Sequence, residues 1–384
     1  MEAYLDNSAT TRCSKRVQEI VLKTMDTAYG NPSSMHKKGL EAERYVKEAA
    51  EKIAKTLKVS EKEIIFTSGG TESNNLALIG AAMANRRAGS RLITTQIEHP
   101  SVWYTMEYLK RQGFEVITLP VNRAGTLILD ALKEALNDQT ILVSVMQVNN
   151  EIGSVQPIEQ AAALIHAQCP HALFHVDAVQ SYGKMQIRPK KSGIDLLSVS
   201  GHKIHGPKGI GFLYKKEKAK VTPLLYGGGQ QSGIRSGTYP VPGIAGIGEA
   251  AVEAYENLDE KVRHLRGLKD RLLTRIADLK DVVYNGSIGE DSAPHIVNLS
   301  FPGVRSEVLL HALEEYGIYV SAGSACASSH PEPSATLQAL KLAPAYVESA
   351  LRFSFCSETQ EAEIDYAAAK LKEIVPRLRR YTRR

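Results

Sequence analysis

Short apolar runs alternate with amphipathic stretches between residues 40 and 215, and this alternation constrains the fold more than any other feature of the sequence. The runs are rich in β-branched residues and apolar on both faces, which is typical of strands buried in a parallel sheet. The stretches at 41–58 and 158–167 place apolar residues on one helix face. The pattern predicts an α/β domain with a large, mostly parallel sheet. Its predicted strands are 64–66, 92–94, 116–118, 141–145, 173–176 and 196–199.

The pattern changes after a long helical stretch, which we predict at about 244–279. Strands are predicted beyond it at 295–301, 319–321 and 351–355, and helices at 306–316 and 360–378, which together indicate a smaller α+β domain. A chain of 384 residues is also long enough for two domains. We therefore predict a large domain at 15–258 and a small domain formed by 1–14 and 259–384.

Composition narrows the class of protein. Hydrophobic residues make up 43% and charged residues 23%, with a net charge of +5, which is typical of a globular protein without a strong field for nucleic acid. No apolar run reaches the roughly 20 residues that span a bilayer, and no secretory pattern is present, so we expect a cytoplasmic protein. The four cysteines form no Cys-x-x-Cys pair, so a zinc ribbon and a thioredoxin-type motif are absent. No metal site is predicted.

A lysine follows the last predicted strand of the large sheet, in the segment 198–211. Burial beside small and hydroxyl residues would lower the pKa of Lys203 and leave an amine able to form a Schiff base. Ser200 and His202 are suitably placed to bind an anion next to it. The glycines at 206, 209 and 211 indicate only that the chain can turn there. This segment by itself does not distinguish a catalytic lysine from a structural one.

Two further motifs also begin where a predicted strand ends. The small residues of 67–75 open a helix and leave backbone N–H groups for a phosphate, although a helix start capped by Thr71 or Ser68 is the simpler alternative. Asp177 lies at a strand end, where α/β sheets bind ligands, and is placed to pair with a protonated pyridine nitrogen. Gln180 would then reach a ring substituent. The alternative for Asp177 is the cap of a following helix.

Three other residues are candidates for chemistry. His99 follows a predicted strand and is suited to stacking on a planar cofactor and moving protons, although a lone histidine is more often structural. Cys326 lies among small residues at 321–331, unlike a core cysteine, and we expect it to be an exposed nucleophile. Arg352 interrupts an apolar strand, so it needs an anionic partner: a substrate carboxylate or an unidentified acid of the chain.

These motifs, in this order, resemble the cysteine desulfurases of the IscS/NifS type in the class V aminotransferase family. The segments at 4–11, 30–34, 148–153 and 235–238 resemble that family as well, so the resemblance covers nearly the whole chain. It implies the aspartate-aminotransferase-like fold (fold type I of pyridoxal 5'-phosphate, PLP, enzymes) and a homodimer. The implied reaction removes sulfur from L-cysteine, giving L-alanine and a persulfide on Cys326.

The resemblance also implies a role for individual residues. Three would be catalytic, as PLP-binding lysine, ring-stacking acid/base and sulfur acceptor: Lys203, His99 and Cys326. Asp177 would face the pyridine nitrogen of PLP and Gln180 its phenolic oxygen. The phosphate would be held by Gly70, Thr71, Ser200, His202 and, from a second subunit, Thr238. The substrate would contact Arg352, Asn31 and Asn150, the last of which also lies near the phenolate side of PLP.

Several alternatives stay open at this point. A selenocysteine lyase, another fold type I aminotransferase and a cofactor-free scaffold are the competing functions, although the spacing from Cys326 to Arg352 resembles the family members that use cysteine. The sulfur acceptor is either an iron–sulfur scaffold protein or a tRNA 4-thiouridine synthetase. Two positions depart from the family pattern, with His205 in place of a tyrosine and Cys356 in place of a glycine.

Overall fold

The computed structural model describes residues 1–322 and 333–382. Its strands, in chain order, are β1 (Ala3–Tyr4), β2 (Ile64–Thr67), β3 (Arg91–Thr95), β4 (Glu115–Leu119), β5 (Thr140–Met146), β6 (Leu173–Asp177), β7 (Leu196–Ser200), β8 (Gly211–Lys215), β9 (Val283–Asn285), β10 (Ile296–Ser300), β11 (Ile318–Tyr319), β12 (Ser321–Ala322) and β13 (Ala350–Ser354). Its helices are α1 (Lys15–Asp26), α2 (Lys37–Leu57), α3 (Gly70–Asn85), α4 (Pro100–Arg111), α5 (Leu129–Ala135), α6 (Ile158–Gln168), α7 (Val241–Tyr255), α8 (Leu258–Arg275), α9 (Ser306–Glu314), α10 (Ala335–Ala339), α11 (Pro344–Val347) and α12 (Glu361–Thr382).

The large sheet has the strand order β2-β8-β7-β6-β5-β3-β4. Strands β7, β6, β5, β3 and β4 pair in parallel, whereas β8 is antiparallel to both β2 and β7. Alternate residues face opposite layers of helices, so Val143 packs in the cluster of α2 and α7 while Leu142 packs in that of α3 and α4. The predicted mostly parallel sheet and its predicted strands are confirmed. The sheet also contains β8, which was not predicted.

A second, antiparallel sheet has the order β12-β13-β10-β9. Its apolar face packs against α8, α9 and α12 through a separate cluster that includes Phe353, Leu272 and Leu371. The first residues of the chain join this part, because β1 pairs with β11 and Asp6 bridges to Ser354. The smaller α+β portion is therefore confirmed, while the exact domain boundaries stay a prediction.

Two predicted elements are wrong in detail. The single helix predicted at 244–279 is two helices, α7 and α8, because Asn257 adopts the left-handed conformation with a φ of 52°. Asparagine tolerates that conformation better than most residues, so the chain turns there. The strand predicted at 319–321 is divided between β11 and β12, which belong to different sheets.

No helix in residues 1–322 or 333–382 is long and apolar enough to cross a membrane. The carboxyl ends of β3, β5, β6 and β7 lie at one edge of the large sheet, because these strands run parallel. This edge gathers the motifs that begin where those strands end.

Candidate active site

Lys203 lies in the short 3-10 turn Gly201–Lys203 that follows β7. Its Nζ donates to the carbonyl oxygens of Ser8, at 2.6 Å, and Ala9, at 2.7 Å. The Nζ of Lys184 donates to the backbone carbonyl of Lys203 at 2.9 Å. Burial, aided by the charge of Lys203, lowers the pKa of Lys184 to about 7. The predicted lysine is thus held between the N-terminal segment and a second lysine that sequence reasoning missed.

Asp177 ends β6 and is buried, with 4% of its surface exposed. Its Oδ1 accepts from the backbone N–H of Val179 at 2.9 Å, and its Oδ2 accepts from Asn74 Nδ2 at 2.8 Å. The residues that follow form turns, so the alternative of a helix cap at Asp177 is wrong. Asn74 of α3 therefore orients this carboxylate. No role was predicted for Asn74.

His99 caps the N-terminus of α4 and is connected to Asp177 by a chain of hydrogen bonds. Its Nδ1 accepts from the backbone N–H of Ser101 at 3.1 Å and lies 2.8 Å from Ser101 Oγ. Asn74 Nδ2 donates to that same Oγ at 2.9 Å and to Asp177. Burial lowers the pKa of His99, the charge of Asp177 raises it and the charge of Lys203 lowers it. Because Nδ1 is an acceptor, the neutral ring carries its proton on Nε2.

Helix α3 begins without a side-chain cap. Its cap residue is Gly69, so the alternative of a cap by Thr71 or Ser68 is wrong. The first-turn N–H groups of Gly70 and Thr71 therefore remain for an anion. A Cβ on Gly69 would lie 3.7 Å from Ser200 Oγ, so the buried hydroxyl at the end of β7 stands beside this helix start. The arrangement suits a phosphate.

The other two residues predicted to hold the phosphate lie in different surroundings. His202 Nδ1 lies 3.1 Å from Thr10 Oγ1, and burial with the charge of Lys203 lowers its pKa to about 4, so the ring is neutral. Thr238 is exposed and lines a cavity of about 250 Å³ together with Ser68 and Arg235. Their contacts with a phosphate stay a prediction.

Gln180 has one satisfied and one unsatisfied end. Its Nε2 donates to the Ser8 carbonyl at 3.0 Å, the same oxygen that accepts from Lys203. Its Oε1 is buried and has no hydrogen-bond partner in the described part of the chain. A buried amide oxygen without a donor is costly, so the hydrogen bonding of this side chain is incomplete without a ligand. The residues at this sheet edge therefore fit PLP.

Arg352 lies on β13 and reaches the large sheet. Its Nη2 pairs with Asp6 Oδ1 at 2.7 Å and its Nη1 donates to the backbone carbonyl of Asn150 at 2.9 Å. The acidic residue that pairs with Arg352 within the chain is therefore Asp6. The Nε is buried and has no partner within residues 1–322 and 333–382, which leaves one donor for a substrate.

Asn31 is exposed, and its Oδ1 accepts from the backbone N–H of Ser33 within its own turn at 3.0 Å. Its predicted contact with substrate stays a prediction. Cys326 lies outside the described residues. Cys356 is half-buried, and burial raises the pKa of its thiol, so it is a poor nucleophile.

Residues 3–367 match the Aminotransferase class-V family. The chain therefore belongs to this family. It is 44% identical over 381 residues to the cysteine desulfurase IscS of Klebsiella pneumoniae (strain 342), covering 98% of this chain and 93% of that protein. A solved NifS-like protein is 38% identical with a TM-score of 0.93, covering 98% of this chain and all of that one. The solved SspA in complex with cysteine is 33% identical with a TM-score of 0.81, covering 93% and 100%.

These likenesses confirm the predicted family and fold type I. They also confirm the predicted dependence on PLP. The reading of the chain as a cofactor-free scaffold is thereby excluded. The role of each individual side chain stays a prediction.

Proposed function

We propose that this chain is a cysteine desulfurase that converts L-cysteine to L-alanine and leaves the sulfur as a persulfide on Cys326. The observation that carries the proposal is the meeting of Lys203, Asp177 and His99 at one sheet edge, with Arg352 reaching toward it from the second sheet. Arg352 gives the site a recognition group for the carboxylate of an amino acid.

When bound, PLP supplies an electron sink for the electrons left when the Cα proton departs. The chain would hold it through Lys203, through Asp177 at the pyridine nitrogen and through Gln180 at the phenolic oxygen. The start of α3, with Gly70, Thr71, Ser200 and His202, would hold the phosphate. Lys203 Nζ then takes the Cα proton, because the Ser8 and Ala9 carbonyl oxygens stabilise the ammonium that results.

His99 is placed to stack on the cofactor and to transfer protons, as the family resemblance implies. Its Nδ1 accepts from the backbone N–H of Ser101, so the neutral ring can donate a hydrogen bond from Nε2. Desolvation keeps the ring uncharged near neutral pH, which suits a group that stacks on an aromatic cofactor. The acid and base roles of His99, both implied by the family resemblance, stay a prediction.

Arg352 would bind the substrate carboxylate through its buried Nε and one shared Nη, while Asp6 and the Asn150 carbonyl hold the guanidinium in place. Asn31 and the Asn150 side chain would add contacts from the rim of the site.

Replacing Arg352 by lysine is expected to raise the apparent Kd for L-cysteine about 100-fold, because losing two charge-assisted hydrogen bonds costs about 3 kcal/mol. The rate at saturating substrate should change much less. The Kd is measured from the absorption change of the bound cofactor. As a control, Arg16→Lys alters an arginine that is paired with Glu249 on the surface and should leave the Kd unchanged. A Kd equal to that of the original protein in Arg352→Lys contradicts the clamp.

The sulfur step uses Cys326. Its thiolate attacks the sulfur of bound substrate, forming an S–S bond while the Cβ–S bond breaks and its electron pair stays with the carbon fragment. Protonation of that fragment gives L-alanine. The persulfide then passes to a thiol or other nucleophile of an acceptor protein.

Incubation of the PLP-loaded protein with L-cysteine, without any keto acid, tests the function. We expect alanine and transferable sulfur in equal amounts. An aminotransferase would need a keto acid and would form no alanine from cysteine. A selenocysteine lyase would act on selenocysteine and leave cysteine unchanged. Absence of alanine therefore rejects the proposal.

The finer predictions concern partners. We propose a homodimer in which Thr238 reaches the phosphate of the second subunit. The supporting observations are the cavity beside Ser68 and a group of exposed apolar residues on and between α1 and α2: Leu22, Met25, Tyr29, Met35 and Leu40. Sedimentation velocity tests the dimer.

The proposed acceptor is an iron–sulfur scaffold or a tRNA 4-thiouridine synthetase, and the proposed compartment is the cytoplasm.

A further inference from the structure

An arginine and a glutamate join the start of α3 to residues 225–240, which we call the Thr238 loop. Arg235 Nε donates to Glu72 Oε1 at 2.8 Å, and its Nη2 donates to Glu72 Oε2 at 3.2 Å. Glu72 Oε2 also accepts from the backbone N–H of Ser68 at 2.7 Å, in the turn between β2 and α3. One carboxylate therefore holds both the turn that precedes α3 and the Thr238 loop.

This ion pair is partly shielded from water and is ionised. The side chains of Arg235 and Glu72 are 19% and 18% exposed. Burial raises the pKa of Glu72, but hydrogen bonds from Arg235 and Ser68 outweigh it, so the pKa lies below its ordinary value. The hydrogen bond to Glu72 raises the pKa of Arg235. A bidentate contact between ionised groups fixes orientation as well as distance, which suits the pair to positioning.

The Thr238 loop is fastened at a second point, on the edge strand β2 of the large sheet. Gln231 Oε1 accepts from the backbone N–H of Phe66 at 2.6 Å, and its Nε2 donates to the Phe66 carbonyl at 2.9 Å. The backbone N–H of Gln231 donates to Tyr239 Oη at 3.1 Å. The chain is therefore held on both sides of Thr238, by Arg235 before it and by Tyr239 after it.

We propose that Arg235 is a positioning residue for cofactor binding, which acts through Glu72 to place Thr238 relative to the start of α3. This inference rests on the proposed function, in which Gly70 and Thr71 hold one phosphate and Thr238 holds the phosphate of the second subunit. A donor that is already in place loses less conformational entropy when the phosphate binds. In the proposed dimer the ion pair of each subunit thereby links the two cofactor sites.

Amide hydrogen exchange in the PLP-free protein tests the tether without catalysis. In Arg235→Gln and in Glu72→Gln we expect exchange in the Thr238 loop to speed up at least about fivefold, because local stability governs such exchange. Arg91 and Glu115 form a similar bidentate pair at the start of β3, and the Arg91 side chain is 20% exposed. Arg91→Gln is therefore the matched control, and it should leave exchange in the Thr238 loop within about twofold.

Cofactor affinity, measured by absorption during titration of the PLP-free protein, tests the effect on the phosphate. For Arg235→Gln we expect the Kd for PLP to rise at least about tenfold, the worth of one hydrogen bond to a charged group. The Kd for pyridoxal, which lacks the phosphate, should stay within about twofold, because no phosphate contact is lost. Glu72→Gln should also raise the Kd for PLP, although it removes a negative charge and Arg235→Gln removes a positive one.

A double variant tests whether Arg235 acts through Thr238. Thr238→Ala should by itself raise the Kd for PLP, because it removes the proposed donor. In that background Arg235→Gln should add less than about twofold, since two residues that act through one contact are not additive.

Each other outcome overturns the inference. Equal losses for PLP and pyridoxal would show a general effect on the fold, and a lower Kd for PLP in Glu72→Gln would show that the pair acts by charge alone. Additive losses, an unchanged Kd in Thr238→Ala, or unchanged exchange in the Thr238 loop would show that Arg235 does not place Thr238. A failure of the proposed reaction is recognised separately, because the unaltered protein would then form no alanine while amide exchange and cofactor affinity would still report the tether.

Discussion

Lys203→Ala is expected to lower alanine formation by at least about 10⁴-fold and to leave the protein without its yellow chromophore. The reason is that one amine has two roles: it attaches the cofactor and takes the Cα proton. Its Nζ is fixed by two carbonyl oxygens, and its backbone is held by Lys184. The neighbouring amine of Lys184 already donates to the backbone carbonyl of Lys203, so we do not expect it to substitute for the side chain of Lys203.

The measurement combines the absorption spectrum of the PLP-loaded protein with borohydride reduction and identification of the tagged peptide. Lys208→Ala is the matched control, because this exposed lysine lies in the same glycine-rich segment. It should keep the chromophore, and its tagged peptide should still contain Lys203. A coloured, active Lys203→Ala protein, or a tag on another lysine, would refute the assignment.

Cys326→Ala is expected to reduce alanine formation from L-cysteine by at least about 10³-fold while the chromophore and Cα exchange are retained. Sulfur can leave the substrate only if a nucleophile accepts it, and the thiolate of Cys326 is the proposed acceptor. The variant therefore separates sulfur transfer from substrate binding and proton removal.

Trapping of the persulfide with an alkylating reagent, followed by mass spectrometry, locates the sulfur. Cys356→Ala is the control, since burial raises the pKa of that thiol and we expect the rate to stay within about twofold. Sulfur found on Cys356, or alanine formed from cysteine at the original rate by Cys326→Ala, would contradict the role. Retention of activity with selenocysteine alone would favour the lyase.

Much of the fold could be read from local patterns. Strands buried on both faces leave continuous apolar runs, so β2 to β7 were predictable. Strand β8 was not, because the run Gly211–Lys215 becomes a strand only by pairing antiparallel to β2 and β7. The break between α7 and α8 at Asn257 was not predictable from the spacing of apolar residues. A single left-handed residue hardly changes that spacing across the two helices.

The candidate site likewise depends partly on local sequence patterns and partly on the tertiary structure. The sequence by itself determined which side chains stand at strand ends, and parallel strands necessarily bring Lys203, Asp177 and the start of α3 to one edge. Only the tertiary structure decided what holds them: Asp6 with Arg352, Asn74 between Asp177 and Ser101, and Glu72 with Arg235. Asp6 and Arg352 are 346 positions apart, and short-range periodicity carries no information about such pairs. Side-chain contacts of this kind arise from how the two sheets pack, which depends on the whole chain at once.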